Sequence, residues 1–487
     1  MKKGIPQIKI PIIPQDLTIE AFEPYIQTVY SQFEANASKI WADYEKYCLD
    51  HAILNKVRPH NDTSINNIVL VPDLKAMVDW KTGYTFGNPI KYAQSKTIDT
   101  DDINYINRYT RSVCQRFTDK EVGKWAYATG VGYYFIEPKS EKFDVETEAP
   151  YVLYHRTSNT CTKVYSSFGS NPALVDILYT TYTKMESGHE KEVRVLDIYF
   201  PATMYTYEST SPFAKWELKS VNSRGMTKPL PLVEKRFNTD GIGIVAMGET
   251  LQDAVDTLLS NGLDNVEDIV NEIFVYKNVN LGKDANEQAQ NHQKMKKSGA
   301  IVLNGGSKEN PPDLDTISTK LTLSEVRELF AIIDAKFHSS LGVPMEMSST
   351  NSGGTTKSGS EVANGYDNAY NRALDDINTF IVADTELLNK IMWICKNTSG
   401  NKINNLAPSD IEIKYSLNLT DNILTKTQSY VNLVQSGVPH AIALRLCKLS
   451  NDPEAEGKII EEYAEQKAQK AFEQAQANQT KVNNSQE

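Results

Sequence analysis

The stretch LSEVRELFAIIDAKFHSSLGVPMEMSSTNSGGTTKSGSEVANGYDNAYNRALDDINTFIVADTELLNKIMWIC, residues 323–395, sets two helical patterns on either side of a polar, glycine-rich loop. Leu323, Val326, Leu329, Phe330, Ile333 and Phe337 recur at helical spacing, and the pattern stops at Gly342 and Pro344. Met345 to Ser360 offers little to bury. Helical periodicity resumes through Val362, Tyr366, Ala369, Ala373, Ile377, Phe380, Leu388, Ile391 and Cys395. This second helix is expected to run for about 36 residues, on the order of 54 Å at the helical rise, beyond the usual length of a globular helix. A helix that long serves a large assembly or a solenoid.

Working upstream, another helix is expected from about Gly248. Leu251, Ala254, Val255, Leu258, Leu259, Val266, Ile269, Val270 and Ile273 form one apolar stripe of about six turns. Asp253, Asp256, Asp264, Glu267 and Asp268 fall on the opposite stripe, and no Lys or Arg occurs from Glu249 to Tyr276. Between the two helices lies a polar, locally basic insertion, 277–319, with Lys277, Lys283, Lys294, Lys296, Lys297 and Lys308. It holds a short apolar strand at Ala300–Leu303 and a Gly305-Gly306 turn. Taken alone, the acidic stripe and the basic insertion are ordinary solvated surfaces. Their order, acidic helix, basic tip, second helix, flexible loop and very long helix, suggests a two-helix stalk whose apolar stripes need neighbours, as in a ring.

The first 240 residues read as one α+β unit. After an extended Pro-rich arm, Thr18 is placed to cap a helix carrying Phe22, Ile26, Val29, Tyr30, Phe33, Ile40, Trp41 and Tyr44. A loop at Arg58–Asn67 follows, then helices at Asp73–Tyr84, Asp101–Phe117 and Asp119–Thr129. From Gly132 to about Val221 the period changes to two, in short runs rich in Tyr, Val, Thr, Phe and Ile that read as an antiparallel sheet. Pro229 and Pro231 begin a linker. After Asn397 the chain gives a strand-like IEIKYSL and then helices, ending in a polar tail.

The 487 residues, 40% hydrophobic, permit several cores. A formal net charge of −11 argues against holding nucleic acid by bulk electrostatics, although it leaves room for nucleic acid that slides past. Five cysteines without CxxC or Cys/His spacing give neither a disulfide framework nor a zinc site. Prolines at 6, 11 and 14 interrupt the N-terminal apolar run before signal-peptide length, and no stretch approaches a membrane span. Gly241, Gly243 and Ala246 match GxGxxA but follow no βαβ strand, so they read as a joining segment. SGGTTKSGS lacks the glycine that a phosphate loop needs before Lys357. The seven histidines show no metal-binding pair, and no carboxylate pair stands out. No cofactor and no metal are expected.

The segment Met77, Val78, Asp79, Trp80, Lys81, Thr82, Gly83, Tyr84, Thr85, Phe86, Gly87, Asn88, Pro89, Ile90 resembles a signature of the portal proteins of tailed bacteriophages, of the type used by Gram-positive siphophages. Ala128–Tyr134, Leu341–Pro344 and Asn351–Gly359 are similar to other parts of that family. After Ser358-Gly359 this chain departs from the family's usual Ala-Leu-Lys with Ser360, Glu361 and Val362. The resemblance implies an α+β portal-type fold, with long stem helices, a β-containing wing and a helical C-terminal crown, assembled as a ring of about twelve subunits. It divides the chain into an arm at 1–17, wing at 18–248, stem helix at 249–274, clip at 275–319 and second stem helix at 320–344. A tunnel loop at 345–359, long wing helix at 360–399, crown at 400–470 and flexible tail at 471–487 complete it.

The same resemblance implies a non-enzymatic channel for packaging and ejecting double-stranded DNA at one capsid vertex, assembled in the host bacterial cytoplasm. The acidic wall would be Asp253, Asp256, Asp264, Glu267 and Asp268. The tunnel loop would present Met347, Ser349, Asn351, Gly353, Gly354 and Lys357. Clip residues Lys283, Lys294, Lys296 and Lys297 would meet the terminase large subunit and a head-completion or adaptor protein, with major capsid and scaffold proteins as further partners and no membrane. Two other readings compete with it: another oligomeric virion or tail component, and a metal-dependent nucleic-acid-processing enzyme built on dispersed carboxylates.

Overall fold

A computed structural model of the chain describes residues 4–57, 66–94, 102–186, 189–211, 214–225, 228–270, 273–278, 280, 282–298, 313–317, 323–344, 359–418, 423–447, 449–450, 453, 456–467 and 469–470. Within the extended arm, β1 (Ile8–Ile10) pairs in parallel with β5 (Cys161–Ser166). The cause is the alternation of Ile8, Ile10 and Ile12, all buried. Thr18 caps α1 (Ile19–Phe22), its hydroxyl accepting the Ala21 N–H at 3.3 Å. Pro24 sits in a 3₁₀ turn that leads into α2 (Ile26–Tyr47).

β5 opens a ladder with β6 (Ala173–Glu186), β7 (His189–Tyr199), β8 (Thr203–Ser209) and β9 (Glu217–Ser223), giving a six-stranded sheet of order β1-β5-β6-β7-β8-β9. α2 lays Ile26, Val29, Tyr30 and Phe33 onto it, against Val164, Val175, Ile198 and Trp216. A second sheet has the order β10-β3-β4, with β3 (Val131–Pro138) central between β10 (Leu232–Arg236) and β4 (Tyr151–Arg156). The segment after Pro229 and Pro231 is therefore a strand rather than a linker.

α5 (Gln115–Thr129) packs on this second sheet, α4 (Asp102–Ser112) shares its core, and α3 (Asp73–Phe86) packs on α5. The break between α4 and α5 falls at Cys114, at φ +51°, four residues before the expected one, and leaves Phe117 exposed. β2 (Lys91–Gln94) pairs with the distant β13 (Ile411–Lys414).

α6 (Ile244–Val270) starts earlier and ends earlier than its periodicity implies, because Ile273 opens a strand, β11 (Ile273–Lys277). β11 pairs with β12 (Asp313–Ile317), and between them runs α7 (Ala285–Ser298), whose first turn is capped by Asp284 Oδ1 accepting the Glu287 N–H at 2.8 Å. The anticipated strand at Ala300–Leu303 lies outside the described residues. α8 (Leu323–Leu341) and α9 (Gly359–Lys396) match their expected spans within about two residues. α10 (Ile423–Gln435) and α11 (His440–Leu446) follow.

One cluster ties these parts together. Met77, Val78 and Phe86 of α3, Ala126–Ala128 of α5, Ile244 and Val245 of α6, Phe337 and Leu341 of α8 and Phe380 of α9 pack in a single core. The segment 77–90 thus sits at the hub where the helices meet.

Candidate functional site

α6 and α8 form an antiparallel pair. The N-terminal end of α6 packs on Phe337 and Leu341 at the C-terminal end of α8, and Gly262, farther along α6, faces Val326. The α7-bearing tip joins their far ends. Gly243, just before α6, closes on the turn that follows α5; a Cβ there would collide with the Ala128 carbonyl. That close approach, rather than a pyrophosphate, accounts for the glycines of the GxGxxA text.

The polar side of α6 is not an open acidic face. Gln252, Asp256, Ser260 and Asp264 recur every four residues and are all buried. Each takes one backbone N–H from an extended segment running antiparallel to the helix. Gln252 Oε1 accepts from Leu74 at 3.0 Å, Asp256 Oδ1 from Val71 at 2.9 Å, Ser260 Oγ from Val69 at 2.9 Å and Asp264 Oδ1 from Asn67 at 2.7 Å. From Asn67 to Val71 the registers match, because four helical residues rise about 6 Å and two extended residues advance about 6.6 Å; the step to Leu74 takes three residues, since Leu74 already lies in the first turn of α3. The helix side chains stand in for a neighbouring strand.

A histidine hydrogen bond and an ion pair reinforce the ladder. His51 Nδ1 donates to Asp256 Oδ2 at 2.7 Å, and Lys56 Nζ donates to Asp264 Oδ2 at 2.7 Å. Burial works to raise the Asp264 carboxyl, but Lys56 and the Asn67 N–H outweigh it and hold it below its ordinary value.

Asp256 and Asp264 therefore do not belong to a solvated channel wall in this chain. Their physical reason for being acidic is to accept backbone donors. Of the other wall candidates, Glu267 is exposed and Asp253 is half-buried, while the side chain of Asp268 lies outside the described residues. The tunnel-loop residues Met347, Ser349, Asn351, Gly353, Gly354 and Lys357 also lie outside them. Lys283 and Lys294 are exposed at the tip; Lys296 and Lys297 are on α7, their side chains not described.

Burying this polar stripe turns apolar side chains outward. Leu263 and Val266 on α6 are each 47% exposed, and Leu329 and Ile332 on α8 are 48% and 60% exposed. Val57 and Ile68, next to the two residues that bind Asp264, are exposed as well.

α9 is fixed by charge as well as by packing. Asp376 receives Lys81 of α3 at 3.0 Å and the Tyr127 hydroxyl at 3.1 Å. Asp384 pairs with Lys235 of β10 at 2.7 Å. Glu386 receives Lys163 of β5 at 2.5 Å and Lys390 at 2.8 Å, and Lys390 also donates to the Leu232 carbonyl at 2.6 Å. Sequence reasoning missed both sets of residues. The signal for the first was the four-residue polar spacing on α6; nothing in the sequence paired the lysines with α9.

Among the described residues no group of His, Cys, Asp or Glu is arranged to hold a metal, and no helix is long and apolar enough to cross a membrane. The described residues thus give a helix pair with outward apolar residues, a small mixed tip and a long helix packed behind it. The chain belongs to the phage portal protein family, SPP1 Gp6-like, whose model matches residues 23–480. The family is structural rather than enzymatic, and membership makes this chain a virion capsid component. No curated protein matches the sequence. The solved structures similar to it include the neck of an empty GTA particle computed with C6 symmetry, at 12% identity over 77% of this chain and 88% of that one, and the neck of a native GTA particle computed with C12 symmetry, at 10% identity over 77% and 89%, each with a TM-score of 0.40.

Proposed function

We propose that copies of this chain close into a ring of about twelve around a channel for double-stranded DNA. The observation that carries the reading is the outward apolar side of both helices of the pair, Leu263 and Val266 on one and Leu329 and Ile332 on the other. Four large apolar side chains left in water on a rigid stem are accounted for when a neighbouring copy covers them. A heterologous, head-to-tail interface of this kind uses two different patches on each copy and closes as a ring.

Within the ring, α6 and α8 serve as stem, β11, α7 and β12 as clip, α9 as the long wing helix and residues 345–359 as tunnel loop. The channel wall on α6 is Glu267 with Asp253 and Asp268, in a span, Glu249–Tyr276, that has no basic residue. Such a wall repels phosphate and releases no counterions, so DNA passes without being held. Lys283, Lys294, Lys296 and Lys297 offer a basic tip to acidic surfaces of the terminase large subunit or of a head-completion protein. Capsid and scaffold proteins surround the ring at the portal vertex.

Mass photometry with negative-stain imaging of the purified chain tests this. Rings with a central hole and a mass of about twelve chains support it. A compact monomer or dimer at every concentration and salt overturns it.

A further inference from the structure

Beneath the C-terminal half of α9 lies a closed polar cluster. Asp119 of α5 and Asp384 of α9 are 3% and 1% exposed, and Lys235 is fully buried with them. Lys235 pairs with Asp384 and donates to the Tyr415 hydroxyl at 3.1 Å, while Tyr415 donates to Asp384 Oδ2 at 2.5 Å. Asp119 accepts from the Tyr134 hydroxyl of β3 at 2.9 Å. One turn before it, Gln115 donates through Nε2 to the Tyr92 hydroxyl of β2 at 3.0 Å, and its Oε1 is buried without a hydrogen-bond partner. Tyr151 of β4 is buried in the same cluster as Tyr92 and Tyr134. Two carboxylates thus meet one ammonium, among aromatic rings that include Phe86 and Phe380.

We propose that this core holds a proton on Asp119 at neutral pH, which makes the seat of α9 on the β10-β3-β4 sheet a joint that loosens as pH rises through neutrality. With Asp119 neutral, the cluster has no net charge, one carboxylate of Asp384 facing one ammonium of Lys235. With Asp119 ionised, one negative charge is left without a counter-charge in an apolar enclosure, at a cost in folding free energy.

The electrostatics point the same way. Burial pushes the Asp119 carboxyl up to about 7, against the pull of Lys235 and with the push of Asp384. In an unfolded chain the same group titrates near about 3.9. The folded state binds the proton more tightly, so its stabilisation is full below the unfolded value and is lost as pH rises through about 7.

The experiment follows the infrared carbonyl stretch of protonated carboxylic acids, together with thermal unfolding, on the full-length assembled protein between about pH 5.5 and about pH 8.5. In the native protein an acid band disappears across this range, and Asp119→Asn lacks it throughout. The fall in unfolding temperature across the same range shrinks by about half or more in Asp119→Asn. Tyr134→Phe deletes a donor that favours the ionised form, so it moves both transitions to higher pH, and it reports on the proton even where Asp119→Asn does not fold. An acid band unchanged by Asp119→Asn, or transitions that Tyr134→Phe leaves in place, overturns the proposal.

Discussion

Lys235 is an expensive residue to bury, and its surroundings explain how the fold keeps it. Its Nζ stands 5.0 Å from the Phe86 ring centre and 5.2 Å from that of Phe380, with Asp384 as counter-charge. Ring faces attract a cation, but a desolvated ammonium also needs an anion. Asp384→Ala removes the carboxylate that Lys235 pairs with and leaves only Asp119 to ionise in its place, and destabilises the protein by no more than roughly 3–5 kcal/mol. The double change Lys235→Met with Asp384→Leu removes both charges and recovers most of that loss. Equilibrium unfolding in urea of the two variants measures this, and equal losses in both would show that packing alone sets the cost. Little of this was legible in the sequence. Asp384 and Lys235 are about 150 positions apart, and neither has a local pattern that marks it as buried.

At the scale of elements, α6 shows how periodicity misleads when polar groups have work to do inside. Its apolar stripe implies Val266 inward and Asp256 and Asp264 outward, the reverse of what the structure has at these positions. The extended segment 66–74 has backbone donors that must be met, and a run of acceptors at four-residue spacing meets them at matched rise. Ser260→Ala removes one such acceptor and leaves its neighbours. The Val69 amide is expected to exchange hydrogen faster, by an amount corresponding to about 1 kcal/mol, while amides in β3 keep their protection. Exchange at Val69 that is unaffected would mean that the ladder is incidental to holding the segment. α7 was missed for a different reason. ANEQAQNHQKMKKS has good intrinsic helix formers but is polar all round, so it offers no stripe to read. α8 and α9 were legible because their apolar spacing is sustained over many turns and bounded by Gly342, Pro344 and Gly359. Strands as short as β2, β10 and β13 find partners far away in the sequence, which composition cannot foresee.

For the whole molecule, the mixed architecture and the order of its parts followed from the sequence, whereas the meaning of the stem surface required the structure. The acidic residues that mark α6 in the sequence are divided between an internal brace and an outward face, and the outward face is shared with apolar residues. If assembly rests on those apolar residues, then Leu329→Asp with Ile332→Asp must block ring closure without unfolding the chain, because both side chains are about half exposed and neither belongs to the buried clusters. The expected outcome is a species of one or two chains by mass photometry, with an unfolding temperature and far-ultraviolet dichroism close to those of the native chain at equal dilution. Val382→Asp supplies the control. Val382 is 73% exposed on α9, a helix outside the α6–α8 pair, and the same change there should leave the rings intact. Rings that persist with both α8 aspartates in place would move the subunit contact off the stem helices and onto the wing or the clip, and the acidic wall would then lose the geometry that puts it on the inside.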